Sequence, residues 1–188
     1  MEATQPTYRA SLLKSVVDEL GERYPAAILA RIDPARLAEL DQASRASWYD
    51  ARLMFELNGA IAAELGREAF VQFWIDFGRT ATRVPLLKQM AEGAARMFGS
   101  GRGIAKLMPR SFEMVTRDVG SFSVESIEDN RAILKLTGFV FPEHFELFAQ
   151  ANRASTMGAM YLVGATPEAN LSDLDAEAGS FTLELAWS

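Results

Sequence analysis

His144 is the only histidine in the chain and stands between Glu143 and a helix-forming run that includes Glu146. An imidazole at such a place is chemically competent as a general base or as a ligand to haem iron. Either role needs an orienting partner, and none can be named beside it, so the residue reads more economically as a solvated histidine at a helix start. Carboxylates pair at Asp18/Glu19, Glu64/Glu68 and Glu143/Glu146, and alternate at Asp173, Asp175 and Glu177. Carboxylates that converge in a dry pocket do acid–base or metal work. The alternating set instead falls on one face of a strand and lacks the glycine and closing glutamate of a calcium loop. It reads as a charged edge that discourages strand-to-strand pairing. The stretch from Gly99 to Lys106 offers glycines, Arg102 and a lysine, but meets neither phosphate-loop spacing and follows a helix rather than a strand. With no cysteine anywhere, thiol catalysis, zinc–thiolate and iron–sulfur sites are excluded. A carboxylate-and-arginine enzyme would need Asp76, Arg79 and Glu113 to meet in one pocket. The expectation is no catalytic set and no metal site.

Two other constellations carry chemistry of a softer kind. Phe70, Phe73, Trp74 and Phe77, with Met108 and the neighbouring Met90, Met97, Phe98 and Met114, supply the aromatic and thioether walls of an apolar-ligand cavity. Ordinary helical core packing explains the same pattern, and the two readings are not exclusive. Arg79, Arg83, Lys88, Arg96, Arg102 and Lys106 lie in a stretch from 79 to 117 that holds eight basic and two acidic residues. That block suits an anionic surface such as phospholipid or an acidic partner, or it forms solvated helix faces. An isoelectric point near 4.9 argues against nucleic acid.

The elements that position these residues follow from periodicity. Leu12, Leu13, Val16, Val17 and Leu20 recur at helical spacing and are closed by Gly21 and Pro25. A short helical piece is read over 26–32. Asp33 before Pro34 is an N-cap followed by a first-turn proline, giving a helix to Leu40. Ser47 is the candidate cap for the next helix, with Met54, Leu57, Ile61 and Leu65 in one stripe before Gly66. The Phe70–Phe77 segment leaves little polar face and reads as a buried helix. Pro85 opens a helix over Leu86–Phe98, and a further helix carries Ile104 to Val119, with a kink or restart expected at Pro109. From Ser121 the period changes to two. Phe122 and Val124 begin a strand, Glu128-Asp129-Asn130 turns it, and Ala132 to Val140 returns as its hairpin partner. A long helix runs from Phe145 to about Gly164. Phe181, Leu183, Leu185 and Trp187 alternate with Thr182, Glu184 and Ala186 in a last strand, paired with a weak strand over 168–178.

This order predicts an α+β fold: a helical N-terminal two-thirds packed on a small antiparallel sheet at the C-terminus, in the order strand-strand-helix-strand-strand. The 188 residues fit one domain, with 1–46 as a helical extension, 47–119 as the helical layer and 120–188 as the sheet with its crossover helix. Net charge is −6, but residues 1–118 carry sixteen basic and fifteen acidic groups, and 119–188 carry three and ten. If the halves form separate faces, the molecule is dipolar and associates in a salt-sensitive, oriented way. The N-terminal residues lack a secretory pattern, and no run approaches the roughly 18 apolar residues of a membrane span. The expected residence is cytoplasmic.

The layout also has a likeness. Trp48-Tyr49-Asp50, the helix from Leu57 with its Glu64-Leu65-Gly66 ending, Phe77-Gly78, Met97-Phe98 and the Leu107-Met108-Pro109 turn precede the hairpin, long helix and final strand. That order resembles a large myxobacterial paralogous family of proteins of about this length. More distantly, it is similar to the superfamily joining haem–nitric-oxide-binding domains, vinyl-reductase-type small-ligand domains and TRAPP vesicle-tethering subunits. The resemblance implies a helical half packed on an antiparallel sheet, with a ligand cavity or acyl tunnel between them in some members. Haem-binding members carry a Tyr-x-Ser-x-Arg motif and a proximal histidine on the helix before the sheet. Here the motif is absent and His144 follows the first two strands, so no haem or other cofactor is expected, and cysteine acylation is chemically excluded. The expected function is a non-enzymatic sensor or adaptor domain that binds a small apolar ligand or a protein partner and forms a homo-oligomer. The alternative is a peripheral membrane or tethering module using the basic stretch 79–117.

Overall fold

The structure, a computed structural model, describes residues 5–80 and 101–188. The helix expected over 86–98 and the cations Arg83, Lys88 and Arg96 lie outside the described residues. The chain begins with β1 (Thr7–Arg9) and runs directly into α1 (Ala10–Arg23), whose Leu12, Leu13, Val16 and Leu20 are buried. The piece expected over 26–32 is a short 3-10 turn, Leu29–Arg31. α2 (Pro34–Gln42) opens as its sequence requires: the Ala35 amide donates to Asp33 Oδ1 at 2.9 Å, and Pro34 occupies the first turn, where its missing N–H costs nothing.

The N-terminal part holds a correction. Ser47 caps no helix; its amide and hydroxyl both donate to the Ser44 carbonyl, and the chain continues as β2 (Trp48–Asp50). Asp50 takes the turn-closing role instead, accepting from the Arg52 amide at 2.9 Å as α3 (Arg52–Leu65) begins. Gly66, at φ 82, then makes a turn that a side chain would strain, and α4 (Arg67–Arg79) follows at once. α5 (Gly101–Val115) runs through Pro109 without a break, so the helix does not restart there. It passes into β3 (Thr116–Arg117), which pairs with β1, so β2-β1-β3 form a small antiparallel sheet. These strands are two or three residues long and joined only through distant chain segments, which gives them no local alternation to betray them.

The C-terminal sheet follows the alternation closely. β4 (Ser121–Ile127), β5 (Arg131–Thr137), β6 (Pro167–Asp175) and β7 (Ser180–Trp187) pair antiparallel in the order β4-β5-β7-β6. On β5, Ala132, Leu134 and Leu136 are buried and Arg131, Lys135 and Thr137 are exposed; Leu134 faces Leu183 of β7. The acidic set on β6 departs from expectation. The register shifts between Ser172 and Asp175, Asp173 takes φ 49 and accepts from the Thr182 hydroxyl, and Asp175 accepts from the Glu177 and Ala178 amides. The three carboxylates therefore do not share a strand face; two of them build an irregular turn.

Between β5 and β6 the chain makes a 3-10 turn (Pro142–His144) and α6 (Phe145–Leu162). α5 and α6 cover one face of the sheet through aromatic edges: Phe112 meets Phe122 at 5.1 Å, and Phe148 meets Phe181 at 6.2 Å and stacks on Phe139 at 4.1 Å. The α+β arrangement of a helical layer on an antiparallel sheet is the one the sequence predicts. No helix among the described residues is long and apolar enough to cross a membrane.

Candidate functional site

The helical layer is not solid. α5 presents Ile104, Leu107, Met108, Ser111, Phe112 and Val115 at three- and four-residue spacing, one continuous stripe. α6 answers with Phe148, Ala151, Asn152, Ser155, Thr156 and Ala159 at the same spacing. Between the stripes is a predominantly apolar cavity of about 200 Å³, bordered also by Met54 and Asn58 of α3, Trp74 and Phe77 of α4, and Tyr8 and Leu12 at the β1–α1 junction. The expected space between helices and sheet is therefore a space among helices. No residue of the four-stranded sheet lines it, because the inner face of that sheet is filled by Phe122, Leu134, Phe181 and Leu183 packed on the helical aromatics.

Of the aromatic candidates, Trp74, Phe77 and Met108 line the cavity and Phe70 and Phe73 do not. The division follows helix geometry: Phe73 turns to Tyr24, with ring centroids 5.3 Å apart, and supports Trp74 and Phe77 from behind. Most of the other lining residues were not among the sequence candidates, Asn58 and Tyr8 among them. Asn58, 2% exposed, accepts a hydrogen bond from Trp74 Nε1 at 3.1 Å. Tyr8, 5% exposed, meets Phe55 edge-on at 6.1 Å, and its hydroxyl has no hydrogen-bond partner among the described residues. Burial pushes the Tyr8 phenol well above its ordinary pKa, so it stays protonated. A sequence signal existed for Asn58, the one polar side chain in the stripe Met54, Asn58, Ile61. Tyr8 had none.

The polar groups on the α5 and α6 walls turn back on their own helices. Ser111 Oγ donates to the Leu107 carbonyl, Ser155 Oγ and Thr156 Oγ1 to the Asn152 carbonyl, and Asn152 Nδ2 to the Phe148 carbonyl. Thr156 Oγ1 also lies 3.5 Å from Met108 Sδ.

The described basic candidates lie on two helices, Arg79 on α4 and Arg102 and Lys106 on α5. Arg79 lies 3.8 Å from Asp76 and stacks 4.0 Å above the Tyr161 ring, Arg102 reaches Asp129 at 3.3 Å, and Lys106 is exposed on α5. Asp76, Arg79 and Glu113 do not meet in the cavity. His144 stacks on Phe55 at 5.3 Å with its Nε2 3.7 Å from Glu143, and is not a lining residue. No group of three or more histidine, cysteine, aspartate or glutamate side chains is placed to hold a metal among the described residues.

No protein-family model and no curated protein matches the chain. Solved structures do. A variant of the Fe(II) unliganded H-NOX protein from K. algicida superposes with a TM-score of 0.66 at 8% identity, covering 96% of each chain. A variant H-NOX protein from S. oneidensis in the Fe(II) ligation state gives 0.64 at 12% identity over 95% of each. A variant of T. Tengcongensis H-NOX gives 0.60 at 8% identity, covering 96% of this chain and 97% of that one. The chain thus shares its fold with H-NOX proteins.

Proposed function

We propose that this chain is a non-enzymatic ligand-binding domain of H-NOX-like fold that uses its helical cavity for a small apolar molecule and not for haem. The observation that carries the reading is the cavity itself, walled by two apolar stripes where a packed core would leave no such space. The fold family implies haem, and the described lining residues do not fit it. Haem iron takes an axial histidine, thiolate or tyrosinate, or a methionine paired with histidine. The only histidine of this chain lies outside the cavity, cysteine is absent, and Tyr8 is held protonated. None of the described lining side chains is cationic, whereas haem brings two carboxylates that seek cations.

Haem titration of the purified chain, followed by absorbance, and native mass spectrometry with solvent extraction of protein from its own host test this together. The expected result is no saturable Soret band and a bound small apolar molecule. A stoichiometric, six- or five-coordinate haem spectrum overturns it. Arg79 and Arg102 each already have a carboxylate neighbour, which favours the cavity over an anionic surface as the working site.

A further inference from the structure

We propose that the cavity selects, among apolar molecules of about one-ring size, those that carry a hydrogen-bond acceptor, such as a carbonyl oxygen, for the Tyr8 hydroxyl and the Asn58 amide. This rests on the apolar-ligand reading and narrows it to a ligand class. Three observations support it. First, indole N–H is a donor only, so the bond from Trp74 Nε1 fixes Asn58 with its carbonyl oxygen toward Trp74 and its two N–H donors elsewhere. No partner for those donors exists among the described residues, although Asn58 is 2% exposed.

Second, Tyr8 is 5% exposed, its hydroxyl has no hydrogen-bond partner among the described residues, and both residues line the same cavity; neither donor is sealed from a molecule the size of water, so each opens onto that space. A donor that opens onto a cavity and has no protein partner bonds to whatever fills the space, and a ligand that brings an acceptor keeps that bond whereas a wholly apolar one forfeits it. Third, the serine, threonine and asparagine side chains of the opposite walls donate to their own helix carbonyls. The unpartnered donors carried by buried lining residues, Tyr8 and Asn58, thus lie on the β1 and α3 side, so a ligand is oriented: its acceptor toward β1 and α3, its apolar body between α5 and α6.

Size sets the rest. A cavity of about 150 Å³ holds benzene, so one of about 200 Å³ leaves room for a ring with a short substituent. A protonated phenol and a carboxamide are neutral donors, so the acceptor is a neutral carbonyl or ether oxygen and not a carboxylate, which would enter without a cation to meet it.

The test uses the full chain with two probes of one shape, acetophenone and α-methylstyrene, in which a C=CH2 group replaces C=O. Titration calorimetry on wild type and Tyr8→Phe gives four dissociation constants. Tyr8→Phe keeps the ring and its contact with Phe55, and far-UV circular dichroism checks that the variant is folded. Acetophenone is expected to weaken about three- to tenfold in the variant while α-methylstyrene binds unchanged or tighter. Equal changes for the two probes overturn the donor role. If neither binds wild type, the apolar-ligand reading itself fails. Independently of any variant, the infrared carbonyl stretch of acetophenone bound to wild type is expected below its position in hexane; a hexane-like position also overturns the proposal.

Discussion

Gly158 of α6 lies against Gly78 of α4 with no side chain between them. A Cβ placed on Gly158 would come within 2.2 Å of the Ile75 carbonyl oxygen and 2.8 Å of the Gly78 Cα, and one on Gly78 within 2.4 Å of the Ser155 carbonyl oxygen. Glycine inside a helix ordinarily costs about 0.5–1 kcal/mol relative to alanine, so alanine would stabilise both sites if there were room. There is none, and the obstructing atoms are backbone, which cannot rotate aside. The helices must separate, and the cavity walls move with them, because Gly78 and Ser155 are themselves lining residues. Gly158→Ala and Gly78→Ala are each expected to lower stability by about 2–3 kcal/mol in urea unfolding.

Gly59 provides the control with the opposite sign. It lies inside α3, and a Cβ there would meet nothing within 4 Å. Only the entropy of the unfolded chain then matters, and Gly59→Ala should stabilise by about 0.5–1 kcal/mol. The same urea measurement checks it, and a loss of stability would mean that α3 is packed on that side after all.

These glycine contacts also show where sequence reading stops. Asp33 with Pro34, the hairpin of β4 and β5, and the alternation of Phe181, Leu183 and Leu185 were legible, because each signal is carried by neighbours in the chain. β1, β2 and β3 were not, since two or three residues paired across distant segments show no period. Ser47 and Asp50 compete as helix-start residues on equal local terms, and only the pairing of β2 with β1 decides between them. The aromatic cluster on α4 was legible as buried, but which of its members face the cavity depends on the rotation of α4 about its axis. That rotation is set by the Gly78–Gly158 contact and by Tyr24, both long-range. Tyr8, at the far end of the chain from α6, reaches the site only through the small sheet.

Tyr8 gives the site a signature in alkali. Burial raises its pKa above the ordinary 10.0, so the folded state holds the phenol proton more tightly than the unfolded one. Below pH 10 both states are protonated and stability is complete. Above it the unfolded chain ionises first, and stability falls by about 1.4 kcal/mol per pH unit from this group. Tyr24 and Tyr49 are also raised, chiefly by burial, and add to the slope. Tyr8→Phe keeps their part and loses its own. Between pH 9 and 11 the variant should therefore lose about 1.4 kcal/mol less than wild type, and at neutral pH the two should differ by less than about 1 kcal/mol, since the hydroxyl opens onto the cavity and gives up no protein hydrogen bond. Parallel urea series at each pH read both effects.

The Asn58–Trp74 bond joins side chains of α3 and α4 at the cavity wall, as the longer Thr156–Met108 contact joins α6 and α5. Asn58→Ala leaves the Trp74 indole N–H buried without an acceptor, at a cost of about 1–3 kcal/mol. Asn58→Leu offers the same apolar contact area and also leaves the N–H orphaned, so it should recover little. If Asn58→Leu instead restores wild-type stability, the asparagine is not the indole acceptor that holds α3 to α4.

Whether the space among the helices is a binding cavity or loose packing is decided by filling it. Ala151, 6% exposed on α6, borders the space. Leucine there adds three carbons. In a filled core they would force neighbouring side chains off their rotamers and destabilise by about 1–3 kcal/mol. In a hollow of about 200 Å³ they remove apolar surface from contact with probe or water and gain up to about 2 kcal/mol. Ala151→Leu is therefore expected to keep or raise the melting temperature and, at the same time, to weaken α-methylstyrene at least tenfold. A drop in melting temperature with unchanged probe affinity would place the probe elsewhere. The paired sign, stability up and affinity down, distinguishes a cavity kept open for a ligand from a core left imperfectly packed, because a packing defect that is repaired changes stability alone.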